Sequence, residues 1–232
     1  MCDRYTLHRI SLADREFQVS RAAWSLQASY NIAPNHSVAV VRSAQAEREG
    51  VMMRWGLIPH FCCGEPPAYS TINARLEVVE TVASYRGPWH RRQRCLQLAS
   101  GFYEWHTDAA GRKVPYYIHL EDQETFAFAG LWDRSVRPDG SVVESVALVT
   151  VPGNELLREI HNCGSTPYRM PAILRKEDHE IWLTGTAEQA RAALTPYAPE
   201  RMVAYEVSGR INLTTHDDEQ LLEPVGRPRR SS

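Results

Sequence analysis

The sequence predicts a single α+β domain, and three observations carry that reading. Short β-type runs interleave with a few helical ones along the whole chain, they lack a βαβ rhythm, and neither an internal repeat nor a linker divides the 232 residues. A chain of this length suits one large domain. An apolar content of 43% beside 23% charged residues supplies enough side chain for a sizeable core.

Residues 11–27 mix charge with Leu12, Phe17, Val19 and Trp24, and Ser11 is placed to cap a helix there. Tyr30–Asn35 is expected to run extended into a turn, because the residue before Pro34 avoids the helical region. Ser37–Arg42 and Val51–Trp55 read as strands joined by the polar stretch Ser43–Gly50. The Gly56–Pro67 loop gathers Pro59, His60 and Phe61 after Trp55, either as packing or as a stacking surface for bases. Asn73 is placed to cap a helix over Asn73–Glu77. Arg86–Arg94, the densest positive run, reads first as a solvated helix face. Leu96–Trp105 alternates as one strand and ends in Gly101-Phe102-Tyr103-Glu104-Trp105. A carboxylate between aromatics is unusual, and burial there would raise its pKa and suit it to carrying protons.

Pro115–Leu120 and Thr125–Trp132 read as strands around a turn at Glu121–Glu124, and Val142–Val151 is a longer apolar run. Asn154 caps a helix over Glu155–Ile160, which leaves His161 at a C-terminal end, where the dipole favours a protonated ring. Arg169-Met170-Pro171 leads into a short strand at Ala172–Leu174. Lys176–Leu183 and Ala187–Leu194 read as helices and Met202–Val207 as a last strand. The domain is thus expected over residues 1–225, with 226–232 a flexible basic tail of disorder-like composition.

A net charge of −2 does not announce a nucleic-acid binder. Of 26 cationic residues, however, only Lys113 and Lys176 are lysines, and arginine's planar fork suits phosphate. A GC-rich genome accounts for the same bias. The five cysteines, Cys2, Cys62, Cys63, Cys95 and Cys163, have no framework spacing, which argues against a secreted disulfide scaffold. No CxxC or HExxH pattern supports a metal site, and no cofactor is expected. Asp3, Arg4, His8 and Arg9 stand where a signal peptide needs an apolar stretch, and no apolar run approaches ~18 residues. A cytoplasmic protein is expected, with no membrane partner.

Cys2 follows the initiator methionine. Removal of Met1 would leave an α-amine and a thiol on one residue, with ordinary pKa values of ~7.7–8.0 and ~8.5. Amine and aldehyde give a Schiff base, and attack of the thiol on the imine carbon closes a thiazolidine. The thiol alone can also act as an ordinary cysteine nucleophile.

Nine segments in order resemble one family: Met1-Cys2-x-Arg4, Tyr30-Asn31-Ile32-Ala33-Pro34, Trp55-Gly56-Leu57-Ile58-Pro59, Asn73-Ala74-Arg75-x-Glu77, Gly101-Phe102-Tyr103-Glu104-Trp105, Pro115-Tyr116-Tyr117-Ile118, Phe128-Ala129-Gly130-Leu131-Trp132, Ile160-His161 and Arg169-Met170-Pro171. The chain resembles the SOS response-associated peptidase (SRAP) family, whose members shield abasic sites in single-stranded DNA. The resemblance implies a mixed, mostly antiparallel, barrel-like β core flanked by a few helices. It also implies that Cys2 becomes the N-terminal residue and links covalently to the sugar aldehyde of an abasic site, with Asn73, Glu104 and His161 completing the site. On that reading Arg4, Arg75 and Arg169 meet phosphates. Asn31 and Pro34 line the DNA groove together with the loop that contains Trp55 and Pro59. The partner is single-stranded DNA bearing an abasic site, met by a monomer that is nucleoid-associated when bound. An autoproteolytic cysteine peptidase using Cys2 and a noncatalytic single-stranded DNA module are the alternatives. Two departures stand out. Asp3 replaces a common glycine, and Asn162–Tyr168 separates His161 from Arg169 by more than in some relatives, with Cys163 in that segment read as incidental.

Overall fold

The apolar runs of the sequence become the strands of two sheets. In this computed structural model residues 2–45 and 47–225 are described, and the tail expected over 226–232 lies outside them. The chain begins with β1 (Arg4–Leu7), α1 (Ala13–Glu16), β2 (Arg21–Ala23), β3 (Ser29–Ile32), β4 (Ser37–Ala44) and β5 (Glu47–Trp55). It continues through β6 (Asn73–Arg75), α2 (Ala83–His90), β7 (Arg94–Ala99), β8 (Gly101–Thr107), β9 (Lys113–Leu120) and β10 (Phe126–Val136). Then follow β11 (Val142–Pro152), α3 (Glu155–Ile160), β12 (Arg169–Pro171), β13 (Ile173–Leu174), α4 (His179–Thr184), α5 (Ala187–Ala192) and β14 (Met202–Glu206).

Strands β11, β10, β7, β4 and β5 pair in that order, each antiparallel to the next. β5 then returns to β11 in parallel, with Arg54 opposite Ser145 and Trp55 opposite Val146. The ring is a mixed, mostly antiparallel barrel, which leaves its members without open edges. Every residue of β7 is buried, as is Phe126–Leu131 of β10. Both faces of these strands are covered, so they read as continuous apolar runs rather than alternating ones. α4 packs on β7 and β4, and α2 on β10. The second sheet, ordered β14-β9-β8-β1-β3, is joined to the barrel by aromatic edges: Tyr5 of β1 meets Trp55 at 5.2 Å and Phe128 at 5.8 Å. Among the described residues no helix is long and apolar enough to cross a membrane.

Several segments differ from the sequence expectation. Ser11 caps nothing. α1 is one turn long, and Gln18 adopts a left-handed conformation (φ 55°), after which Arg21–Ala23 pairs in parallel with β5. The polar stretch expected between two short strands is largely strand itself, because β4 and β5 pair all the way to Ala44 and Glu47. Asn73 starts no helix, since the backbone of Asn73–Arg75 pairs in parallel with β11 from Leu148 to Thr150. In the positive run, Arg86, Arg91 and Arg92 are exposed, but Arg94 is buried and donates to the carbonyls of Gly185 and Thr186.

The expected single strand Leu96–Trp105 is two strands in different sheets. The chain changes sheets at Ser100, whose hydroxyl accepts the backbone N–H groups of His8 and Arg9, each at 3.2 Å. Gly101 makes the crossing possible, because Tyr117 lies directly over it and a Cβ there would overlap the phenol. An alanine at an unobstructed position commonly stabilises a protein by ~0.4–1 kcal/mol. Gly101→Ala should instead destabilise by ~1–3 kcal/mol through overpacking, which a lowered midpoint in thermal unfolding followed by circular dichroism would register. An unchanged or raised midpoint would contradict this account of the crossing.

Candidate active site

Cys2, the first described residue, lies between the two sheets. Cys2 is 1% exposed, and its carbonyl accepts a 2.9 Å hydrogen bond from Asn73 Nδ2. β6 is held in place by the parallel pairing with β11, and the carbonyl of Asn73 accepts a 3.0 Å bond from the Tyr85 hydroxyl of α2. The asparagine is therefore fixed on both its backbone and its side chain. Its Oδ1 is buried with no hydrogen-bond partner among the described residues. Two residues on, Arg75 shares the strand face by alternation and is exposed.

Glu104 sits in β8, beside β1, and is 2% exposed, with Oε1 lacking a hydrogen-bond partner. Burial pushes its carboxyl up to about 8, and the nearby negative charge of Asp3 adds to the effect. At neutral pH this side chain is a neutral acid. Burial also raises the Cys2 thiol well above its ordinary range, with the Glu104 charge the second cause.

His161 follows α3, whose first turn is capped as expected by Asn154 Oδ1 accepting from Leu157 N at 2.9 Å. Its Nδ1 lies 3.1 Å from the carbonyl of Arg169 and 3.2 Å from the N–H of the same residue. Burial lowers the imidazole to about 4, so the ring is neutral at pH 7. The cation that a helix C-terminus was expected to favour does not form there, because desolvation outweighs the dipole of a helix of six residues.

A cavity of about 370 Å³ is lined by Glu104 and His161 together with Asp3, Arg4, Trp105, Thr107, Lys113, Cys163, Gly164 and Asn212. Cys2 and Asn73 lie off its surface, but the two residues that follow Cys2 form part of its wall. The four residues singled out from distant parts of the sequence are therefore neighbours. The arrangement sets a protonated carboxyl and a neutral imidazole on a space open to solvent, with a thiol and a carboxamide buried behind its wall. Among the described residues no group of histidine, cysteine and carboxylate side chains is arranged to hold a metal ion.

The residues expected to face DNA are placed unevenly. Arg4 lines the cavity and donates to Asn31 Oδ1 at 3.0 Å and to the Ile211 carbonyl at 2.7 Å. Asn31 is buried, and its Nδ2 binds the carbonyls of Leu213 at 3.1 Å and His216 at 2.8 Å. It is a backbone clamp rather than a groove surface. Trp55 is wholly buried, with its Nε1 on the Ile72 carbonyl, and Pro59 is buried too. Both are therefore interior residues that present no stacking face to solvent. Pro34 is half-buried in the turn after β3. Arg169 forms a two-bond fork with Glu77, both bonds at 2.9 Å, and also donates to the Thr150 carbonyl.

Other cavity residues went unmarked in the sequence. Lys113 had a signal, as one of only two lysines. Thr107 and Asn212 had none, since only folding brings them to Glu104. Asn212 arrives from near the end of the described chain and accepts a 3.0 Å bond from Trp105 Nε1. Cys163, read as incidental, belongs to the cavity wall.

Known proteins share this architecture and sequence. A protein of Bacteroides thetaiotaomicron of known crystal structure superposes with a TM-score of 0.83 at 25% identity, covering 97% of this chain and all of that one. One from Bordetella bronchiseptica gives 0.77 at 28% identity over 89% of this chain and all of its own. The abasic site processing protein YoqW of Bacillus subtilis is 31% identical over 96% of this chain and 99% of its own length. The abasic site processing protein HMCES of Gallus gallus is 30% identical over 85% of this chain and 66% of its own. The family described as SOS response associated peptidase (SRAP) matches residues 1–214, a span that takes in Cys2, Asn73, Glu104 and His161 alike, and the chain belongs to that family.

Proposed function

We propose that this chain processes abasic sites in single-stranded DNA by joining its N-terminal cysteine covalently to the ring-opened sugar. The observation that carries the reading is that Glu104 and His161 line one open cavity whose wall includes the two residues after Cys2, while Asn73 holds the Cys2 carbonyl just behind that wall. The names of the relatives support the substrate class. All four groups come from one chain, so a monomer suffices.

The protonation states divide the work. In the closed sugar, neutral His161 accepts the proton of the C1′ hydroxyl while protonated Glu104 gives one to the ring oxygen, which frees the aldehyde. The proton then returns from the imidazole to the carboxylate. Once Met1 has been removed, the α-amine of Cys2 attacks C1′, Glu104 protonates the hydroxyl that leaves as water, and the resulting carboxylate takes the proton of the iminium nitrogen to leave a neutral imine. The thiol adds to the imine carbon, its proton passes to nitrogen, and a thiazolidine closes with net loss of one water. Asn73 holds the carbonyl of Cys2 and so aims both nucleophiles without adding charge. Arg4 and Arg75 take flanking phosphates, while Arg169, occupied by Glu77, positions His161 through its backbone. The lesion lacks a base, so no base has to be flipped.

Wild-type protein lacking Met1 should give a heat-stable shifted band with single-stranded DNA carrying one abasic site on a denaturing gel. Cys2→Ala, or protein retaining Met1, should give no thiazolidine, and an equal yield from Cys2→Ala would end the reading. Cross-linking rate should be bell-shaped in pH. It should rise as the α-amine deprotonates near ~8 and fall as Glu104, protonated below its raised pKa of about 8, loses its proton. Glu104→Gln should cost ~10²–10⁴ in rate and remove the falling limb. A falling limb retained in that variant would rule Glu104 out as the donor.

A further inference from the structure

A thiol other than that of Cys2 lines the cavity. Cys163 is exposed, free of any disulfide and part of the wall that Glu104 and His161 also form. Its place is fixed by Asn162, whose side chain accepts from the Thr107 N–H and donates to the Thr107 carbonyl, both at 2.9 Å. Thr107 belongs to β8, the strand of Glu104, so the loop is pinned to the proton donor's own element. Across the loop, Tyr168 N bonds the His161 carbonyl at 2.8 Å. The independent sign that this wall awaits a ligand is Glu104 itself, a lining residue only 2% exposed whose buried Oε1 has no hydrogen-bond partner among the described residues.

Resting on the reading that this cavity receives a ring-opened abasic sugar, we propose that Cys163 is a second nucleophile. Its substrate is the 3′-terminal α,β-unsaturated aldehyde left when such a sugar loses its 3′ phosphate by β-elimination. That species has two electrophilic carbons, C1′ and C3′. The aminothiol of Cys2 matches the first, and a lone thiol matches the second. The Cys163 sulfur forms a bond to C3′ while the C2′–C3′ double bond is lost, and the thiol proton passes to neutral His161. Glu104 donates a hydrogen bond to the aldehyde oxygen as negative charge builds there, and C2′ then takes up a proton. The sum is addition of S–H across the double bond, with no oxidant or leaving group. The protein would thereby hold broken 3′ ends as well as intact strands.

The test uses the full chain and a synthetic single-stranded oligonucleotide ending in that 3′ unsaturated aldehyde, with the adducts mapped by peptide mass spectrometry. Cys63, also exposed but outside the cavity, is the internal reference. Adduct at Cys163 should exceed that at Cys63 by about tenfold or more, because the cavity supplies effective concentration. It should persist in Cys2→Ala and vanish in Cys163→Ser. 2-Butenal without DNA should label the two thiols similarly. The absence of an adduct at Cys163, or an equal yield at Cys63 from the oligonucleotide, would overturn the proposal. The intact abasic oligonucleotide, run beside it with wild type, separates the two ideas: its cross-link through Cys2 upholds the underlying reading whatever Cys163 does, and its failure removes that reading.

Discussion

One side-chain hydrogen bond, from Asn73 Nδ2 to the Cys2 carbonyl, sets the position of the site. The first residues of a chain ordinarily fray unless something ties them down. Here the tie is strong because its donor is itself immobile: β6 is paired to β11, and Tyr85 holds the carbonyl of Asn73. Two residues later β1 pairs with β8, with Arg4 opposite Tyr103. The two restraints come from different sheets. The segment from Cys2 to Arg4 therefore bridges the barrel and the second sheet, and Glu104, next to Tyr103 in β8, is carried to it by strand register.

The second constraint is the distribution of protons. In water a carboxyl gives up its proton well before an imidazolium does. Burial reverses that order, lifting Glu104 to about 8 and lowering His161 to about 4. Both shifts have the same cause, since each neutral form is the one a dry environment prefers. The pair thus places a proton donor beside a proton acceptor with no net charge between them. Titratable neighbours pushed apart in this manner mark acid and base assignments. The assignment differs from the one His161's helix-end position suggested.

Much of this was legible in the sequence, for reasons that differ by residue. Asn154, His161 and α3 could be located because capping is local chemistry. The strands of the barrel were visible as apolar runs, and Glu104 stood out as an acid among aromatics. The failures that bear on the site are non-local. Asn73 looks like a helix cap because asparagine caps helices, yet its partner is a carbonyl 71 positions away in the chain. Leu96–Trp105 alternates without interruption, and only Tyr117 packed over Gly101 reveals that the chain changes sheets there. Trp55 and Pro59 look like a stacking surface in a list of residues. They are interior because β5 returns to β11.

The arginine bias can now be weighed. Many of these side chains are spent within the fold: Arg42 on Glu49 and Glu144, Arg169 on Glu77, Arg191 on Glu80, Arg210 on Asp218, and Arg94 on two carbonyls. Forks of this kind use arginine's geometry for structure rather than for phosphate. The bulk count therefore says little about DNA, and the net charge of −2 says little against it. What a phosphate would meet is local. With Glu104 and His161 both neutral, the charge around the cavity is set by Arg4 and Lys113 against Asp3, and Arg75 stands exposed on the neighbouring strand. Keeping the carboxyl protonated leaves a proton available at the cavity, and it removes a negative charge that would repel any phosphate entering there.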